Sequence, residues 1–227
     1  TLQAAEQGLR CGYPPDAGAV LLIELDGIEE VVQEQVREAR AACSQHGATE
    51  IRTATEVSER TQLWKGRKGA IGALGRIAPN YYHLDGVVPR SKLVERLGEV
   101  SRISQKYNFP VANVFHAGDG NLHPCLLFDE REEGATARVL EAGAEIMRVC
   151  VDAGGALTGE HGVGYEKNRF MPWLYSETDL ENMRRVRKVF GNNGTFNPCK
   201  VLPEGTGCGE MAHQKDALKA AGPEAHV

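Results

Sequence analysis

No apolar run in this 227-residue chain approaches the roughly 20 residues that a membrane-spanning helix needs. The N-terminus also lacks the basic segment and following apolar stretch of a secretory leader. Basic charge is in the minority. Lys and Arg number 26 against 31 Asp and Glu, leaving a net charge of −5. That balance argues against nucleic acid or an anionic bilayer as the main partner. The six cysteines, at positions 11, 43, 125, 150, 199 and 208, include no Cys-x-x-Cys pair. The expectation is therefore reduced thiols in a cytoplasmic protein.

What is present is enough for one large domain or two small ones. About two-thirds of the unfolded surface should be buried in a chain of this size. Residues 19–25 (AVLLIEL) read as a buried strand closed by Asp26-Gly27. Ile28, Val31, Val32, Val36, Ala39 and Cys43 form a helical stripe that Gly47 can stop. Residues 49–55 alternate like a strand, and a helical pattern broken by four glycines runs from Val57 to about Ile77. A strand over 81–88 ends at Pro89. Leu93, Val94, Leu97, Val100, Ile103 and Tyr107 mark the next helix. Ala137, Leu140, Ala144, Met147 and Val151 mark another, stopped by Gly154-Gly155. A last helix spans Ser176 to Phe190, with Ser176 and Asp179 as a capping box. The helices are too few and too uneven for a parallel sheet covered on both faces. The pattern predicts an α+β fold, antiparallel sheet with helices on one side. Residues 204–227 read as a loose tail.

The chemistry concentrates in two stretches. Val114-Phe115-His116 and His123-Pro124-Cys125-Leu126 flank Ala-Gly-Asp-Gly-Asn, strong turn chemistry for a hairpin. Two imidazoles at a hairpin mouth can ligate a transition metal, or can simply hydrogen-bond in a polar pocket. Residues 154–164 (GGALTGEHGVG) set Glu160 and His161 among five glycines. This loop either approaches a ligand closely or faces water. Two histidines and one carboxylate would leave metal positions open, as catalytic sites require. Adjacent loop residues point apart, so Glu160 could face a metal while His161 accepts a proton from a substrate hydroxyl. Arg67 could clamp a carboxylate in bidentate fashion, or belong to a solvated basic helix face.

Five segments carry a resemblance: 63–68 (LWKGRK), 81–90 (YYHLDGVVPR), 112–128 (ANVFHAGDGNLHPCLLF), 154–164 and 196–200 (FNPCK). Together they resemble the C-terminal part of the FAD-linked 2-hydroxy-acid oxidoreductases of the vanillyl-alcohol-oxidase superfamily, across residues 8 to 203. The glycolate oxidase flavoprotein (D subunit) branch is the nearest, with D-lactate and D-2-hydroxyglutarate dehydrogenases as neighbours. The resemblance implies a ferredoxin-like substrate or cap domain over 1–203 with a C-terminal helical segment. It implies that His116, His123 and Glu160 hold a divalent metal (Zn, Mn or Fe), that His161 is the base and that Arg67 binds the substrate carboxylate. Asn197 would approach the FAD. Some relatives place a substrate-binding Lys where His83 stands, and a polar residue where Cys125 stands. The first departure argues against a long dicarboxylate.

No segment resembles the FAD-binding domain that precedes this region in the family, so a truncated chain or partial gene, inactive alone, is expected. Further implied partners are a small 2-hydroxy acid, a second flavin subunit and an iron-sulfur subunit, through which the protein would sit peripherally at the inner membrane. The competing readings are a stand-alone metal-dependent hydrolase and a non-catalytic assembly module. The Asn-Pro motif speaks against the first, and metal content would separate the second.

Overall fold

The computed structural model describes residues 1–14, 16–191 and 197–203. They sort into two compact units, Thr1–Pro79 and Asn80 onward. The tail expected over 204–227 lies outside the described residues.

The first unit is helical. It contains α1 (Leu2–Leu9), α2 (Glu29–Gln45) and α3 (Val57–Ala73), with a 3-10 turn over Leu74–Arg76. α1 was not foreseen from the sequence, because eight residues with no side-chain cap leave little periodic signal. It packs on α3, where the glycines that interrupt the helical pattern have a use. A Cβ on Gly66 would lie 2.4 Å from the Tyr13 ring, and one on Gly69 would lie 2.5 Å from Leu9. The expected strands over 19–25 and 49–55 are absent, and both segments are irregular. Leu21 is 62% exposed and Ile23 50%. An apolar run becomes a strand only when another backbone satisfies its N–H and C=O groups, and none pairs with either segment among the described residues.

The second unit is a layered α+β structure. Strands β1 (Asn80–His83), β2 (Gly86–Val87), β3 (Val111–His116) and β4 (Asn121–Phe128) make an antiparallel sheet. β4 is central. Its one edge pairs with β1 and β2 in a single continuous register, and its other edge pairs with β3. Helices α4 (Leu93–Tyr107) and α5 (Ala135–Asp152) pack together, and α5 touches β1, β2 and β4. A 3-10 helix (Asn168–Trp173) and α6 (Glu177–Phe190) follow. The Ser176–Asp179 capping box forms as expected.

Strand alternation divides the sheet by chemistry. Leu84 and Leu126 point into a core shared with Val100 and Ile103 of α4 and Val139, Ile146 and Met147 of α5. The register puts His83 opposite Cys125, and Val114 opposite His123. His83, Asp85, His116, Asn121, His123 and Cys125 therefore share the other face. No described helix is long and apolar enough to cross a membrane. Cys11, Cys43, Cys125 and Cys150 are free thiols, as expected. Cys199 is disulfide-bonded and departs from that expectation.

Candidate metal centre and active site

The hairpin delivers the two histidines to one place. His116 ends β3 and pairs with Asn121, while His123 sits two residues further along β4 on the same face. Their rings are 5.5 Å apart. His123 is 3% exposed, and His116 lies at the open side with 45% of its side chain exposed. The loop after α5 brings Glu160 to them. Glu160 Oε1 lies 2.7 Å from His123 Nε2, 3.5 Å from His116 Nε2 and 3.7 Å from His161 Nε2. Three imidazoles thus converge on one carboxylate oxygen.

His161 does not point away from Glu160, as simple alternation suggested. Its ring stacks on His123 with centroids 5.0 Å apart and planes 18° apart. His83 closes the group, 5.0 Å from the His123 ring and 5.1 Å from that of His161. Two overlapping donor sets result: His116, His123 and Glu160, and His83, His123 and His161. Burial, followed by the nearby His123 and His161, pushes the His83 pKa down to about 4. His83 is therefore neutral near pH 7, and its Nε2 is buried without a hydrogen-bond partner.

The loop keeps this shape because of a residue that the sequence reading passed over. Asp85, fully buried, sits between β1 and β2. Its carboxylate accepts hydrogen bonds from Thr158 Oγ1 at 2.5 Å and from the backbone N–H groups of Gly159, Glu160 and His161 at 3.0–3.3 Å. Lys167, 4% exposed, pairs with it at 2.9 Å and also donates to the Asp85 carbonyl. Burial alone would raise the Asp85 pKa. The bonds from Thr158 and Lys167, the Lys167 charge and the Gly159 N–H outweigh it and hold the carboxyl far below the usual range. The three N–H groups that Asp85 binds flank both functional side chains. Asp85 therefore turns Glu160 and His161 toward the same point. Gly159 lets the loop lie against β4, since a Cβ there would meet the Asn121 side chain at 2.4 Å. Asp85 was visible inside YYHLDGVVPR as the one acid in an apolar strand. No local signal marks Lys167.

A family model for the C-terminal domain of FAD linked oxidases matches residues 1–201. The chain belongs to that family. Within the family, it is 44% identical over 211 residues to the glycolate oxidase subunit GlcD of Escherichia coli K12, covering 93% of this chain and 42% of that protein. It is 34% identical to GlcD of Bacillus subtilis over 89% of this chain and 43% of that protein. A mitochondrial D-lactate dehydrogenase [cytochrome] of Arabidopsis thaliana is 29% identical over 81% of this chain and 33% of that protein. The chain thus spans less than half the length of these relatives.

The remaining expected site residues of this FAD-oxidase domain fall as follows. Cys125 is buried opposite His83, and burial pushes its thiol up to about 11, so it stays protonated near neutral pH. Arg67 lies on α3 in the first unit, whereas the cluster belongs wholly to the second. Asn197 has a left-handed backbone, φ 43°. Its segment is tied to the chain just beyond the Glu160 loop: Asn168 Nδ2 donates to Cys199 O at 2.8 Å, and Val201 N donates to Gly164 O at 2.6 Å.

Proposed function

We propose that this chain is the substrate- and metal-binding part, residues 1–203, of a flavin-dependent oxidoreductase acting on a small 2-hydroxy acid, glycolate or D-lactate. We assign a divalent metal (Zn, Mn or Fe) to His116, His123 and Glu160. One observation carries that assignment: His123 Nε2 faces Glu160 Oε1 at 2.7 Å while its Nδ1 lies 3.2 Å from the Leu84 carbonyl. The carbonyl takes the Nδ1 hydrogen, so in the neutral ring two electron pairs face each other across the short gap, an arrangement that a metal cation would relieve. Two imidazoles and a carboxylate suit these metals and leave positions for a substrate. The unpartnered Nε2 of His83 adds a further donor on the same face.

A metal held by His116, His123 and Glu160 would supply Lewis-acid polarisation of the substrate, and the family's FAD would supply a hydride acceptor. The chain's own residues would do the rest. Arg67 would grip the substrate carboxylate in the paired geometry that guanidinium provides. His161 would take the hydroxyl proton. Neutral His83 would offer a hydrogen bond rather than a charge, which suits a short monocarboxylate better than a long dicarboxylate. Asn197 would approach the flavin, carried mainly by a preceding domain, from a segment fixed beside the Glu160 loop. The relatives' names as glycolate oxidase subunits support a place in a multi-subunit assembly. A second flavin subunit and an iron-sulfur subunit, with the chain on the cytoplasmic side and peripheral to the inner membrane, are our proposal for that assembly.

The test compares two neighbouring substitutions in the flavin-loaded oxidase. Glu160→Ala should empty the metal site, as measured by elemental analysis, and turnover should not return on adding metal. His161→Ala should keep the metal and lose roughly a hundredfold or more in kcat. Loss of metal in His161→Ala with retention in Glu160→Ala would reverse the two roles. A wild-type site that stays empty with Zn²⁺, Mn²⁺ and Fe²⁺ would overturn the metal assignment.

A further inference from the structure

We infer that Pro124 is a positioning residue that selects which nitrogen of His123 faces the cluster. β4 is paired along both edges, a place where proline is normally excluded because it cannot donate to the ladder. The registers Tyr82–Leu126, His83–Cys125 and Gly86–Leu122 put Leu84 opposite Pro124. At such a rung two residues exchange a pair of bonds. Leu84 N–H donates to Pro124 O at 3.0 Å. The return bond needs an N–H at position 124, and proline has none.

Leu84 is 1% exposed, so its carbonyl would be left buried without a donor. His123 Nδ1 fills that role at 3.2 Å. A carbonyl oxygen only accepts, so Nδ1 carries the hydrogen, and in the neutral ring Nε2 is then a bare electron pair. The amide nitrogen of Asn121, 3.4 Å from Nε2, fits a donor aimed at that pair. Nε2 is the atom turned toward Glu160. A hydrogen missing from the backbone thus fixes the tautomer of a side chain one residue away. Free histidine favours the opposite tautomer. The protein therefore presents Nε2 as an acceptor before any ligand arrives. The tautomer follows from the Leu84–Pro124 rung alone, and its consequence for metal binding rests on the function proposed above.

The experiment is ¹⁵N NMR of the histidine rings in the full chain, treated with chelator, at a pH well above the histidine range, followed by Zn²⁺ titration. Wild type should show His123 with a protonated Nδ1 and a bare Nε2. Pro124→Ala and Pro124→Val both restore the N–H, and Val also suits a strand. In either variant the Leu84 carbonyl should be retaken by the backbone. The His123 resonances should then move toward the opposite tautomer, and Zn²⁺ affinity should fall ~10- to 100-fold, the usual range for a lost orienting partner. A protonated Nε2 in wild type, which needs no variant to observe, overturns the inference. So does an unchanged His123 tautomer in whichever variant folds. If the tautomers behave as expected but Zn²⁺ binds to neither protein, the positioning role stands and the metal assignment fails.

Discussion

Two apolar runs of this chain met opposite fates. β4 (Asn121–Phe128) buries seven of its eight residues. Residues 19–25 are just as apolar, yet pair with no strand among the described residues and are largely exposed. Composition does not separate them. β4 has a partner four residues away across the 117–120 turn and a second strand along its other edge, so its backbone groups are satisfied on both sides. Residues 19–25 run through Asp26-Gly27 into α2 instead. Hydrophobicity provides the drive to bury a strand, and an adjacent partner decides whether it can be used.

The comparison can be broken most severely at Asp85, the acid that joins the β4 sheet to the Glu160 loop. Asp85→Ala leaves Lys167 buried without its counter-charge and frees Thr158 and three N–H groups. It should cost about 3–5 kcal/mol in urea unfolding. Adding Lys167→Met should recover part of that loss. A cost below about 1 kcal/mol would show that the pair does not hold the loop.

A smaller effect tests the two runs directly. Leu126→Ala removes a fully buried side chain from the α4–α5 core and should cost about 2–5 kcal/mol. Leu21→Ala, at a 62% exposed position, should stay within about 0.5 kcal/mol. Equal costs would mean that residues 19–25 are buried in solution.

The last effect concerns pH. The folded pKa of His83 is lowered to about 4 from an ordinary 6.5. Between those values the unfolded chain binds a proton at this position and the folded chain does not. Stability of the metal-free protein should therefore fall as pH drops from 6.5 to 4, with no further contribution from His83 below that. His83→Gln should flatten the urea midpoint over this window, and an unchanged slope would place the titration elsewhere.

The sequence was most legible where signals are local. The capping box at Ser176, the periods of α2 through α6 and the β3–β4 turn were all readable within a few residues. So were His116, His123, Glu160 and His161, since each sits in a short glycine-rich motif. The strands over 19–25 and 49–55 misled because alternation records a tendency and not a partner. α1 escaped because it is short and uncapped. Asp85 escaped because its partners lie 73 to 82 positions downstream. The shared direction of Glu160 and His161 escaped with it, because the loop alone does not contain the group that turns both side chains.

That separation along the chain also sets an order of events. His116 and His123 are seven positions apart and meet as soon as β3 and β4 zip. Glu160 lies much further along the chain than the β3–β4 turn, and the Asp85 bond that holds its N–H spans 75 positions. The entropy of such a closure is met late, once the flanking helices have shortened the search. A refolding molecule is therefore expected to form a two-histidine site before a complete one, so that metal supplied during refolding would meet the incomplete site first.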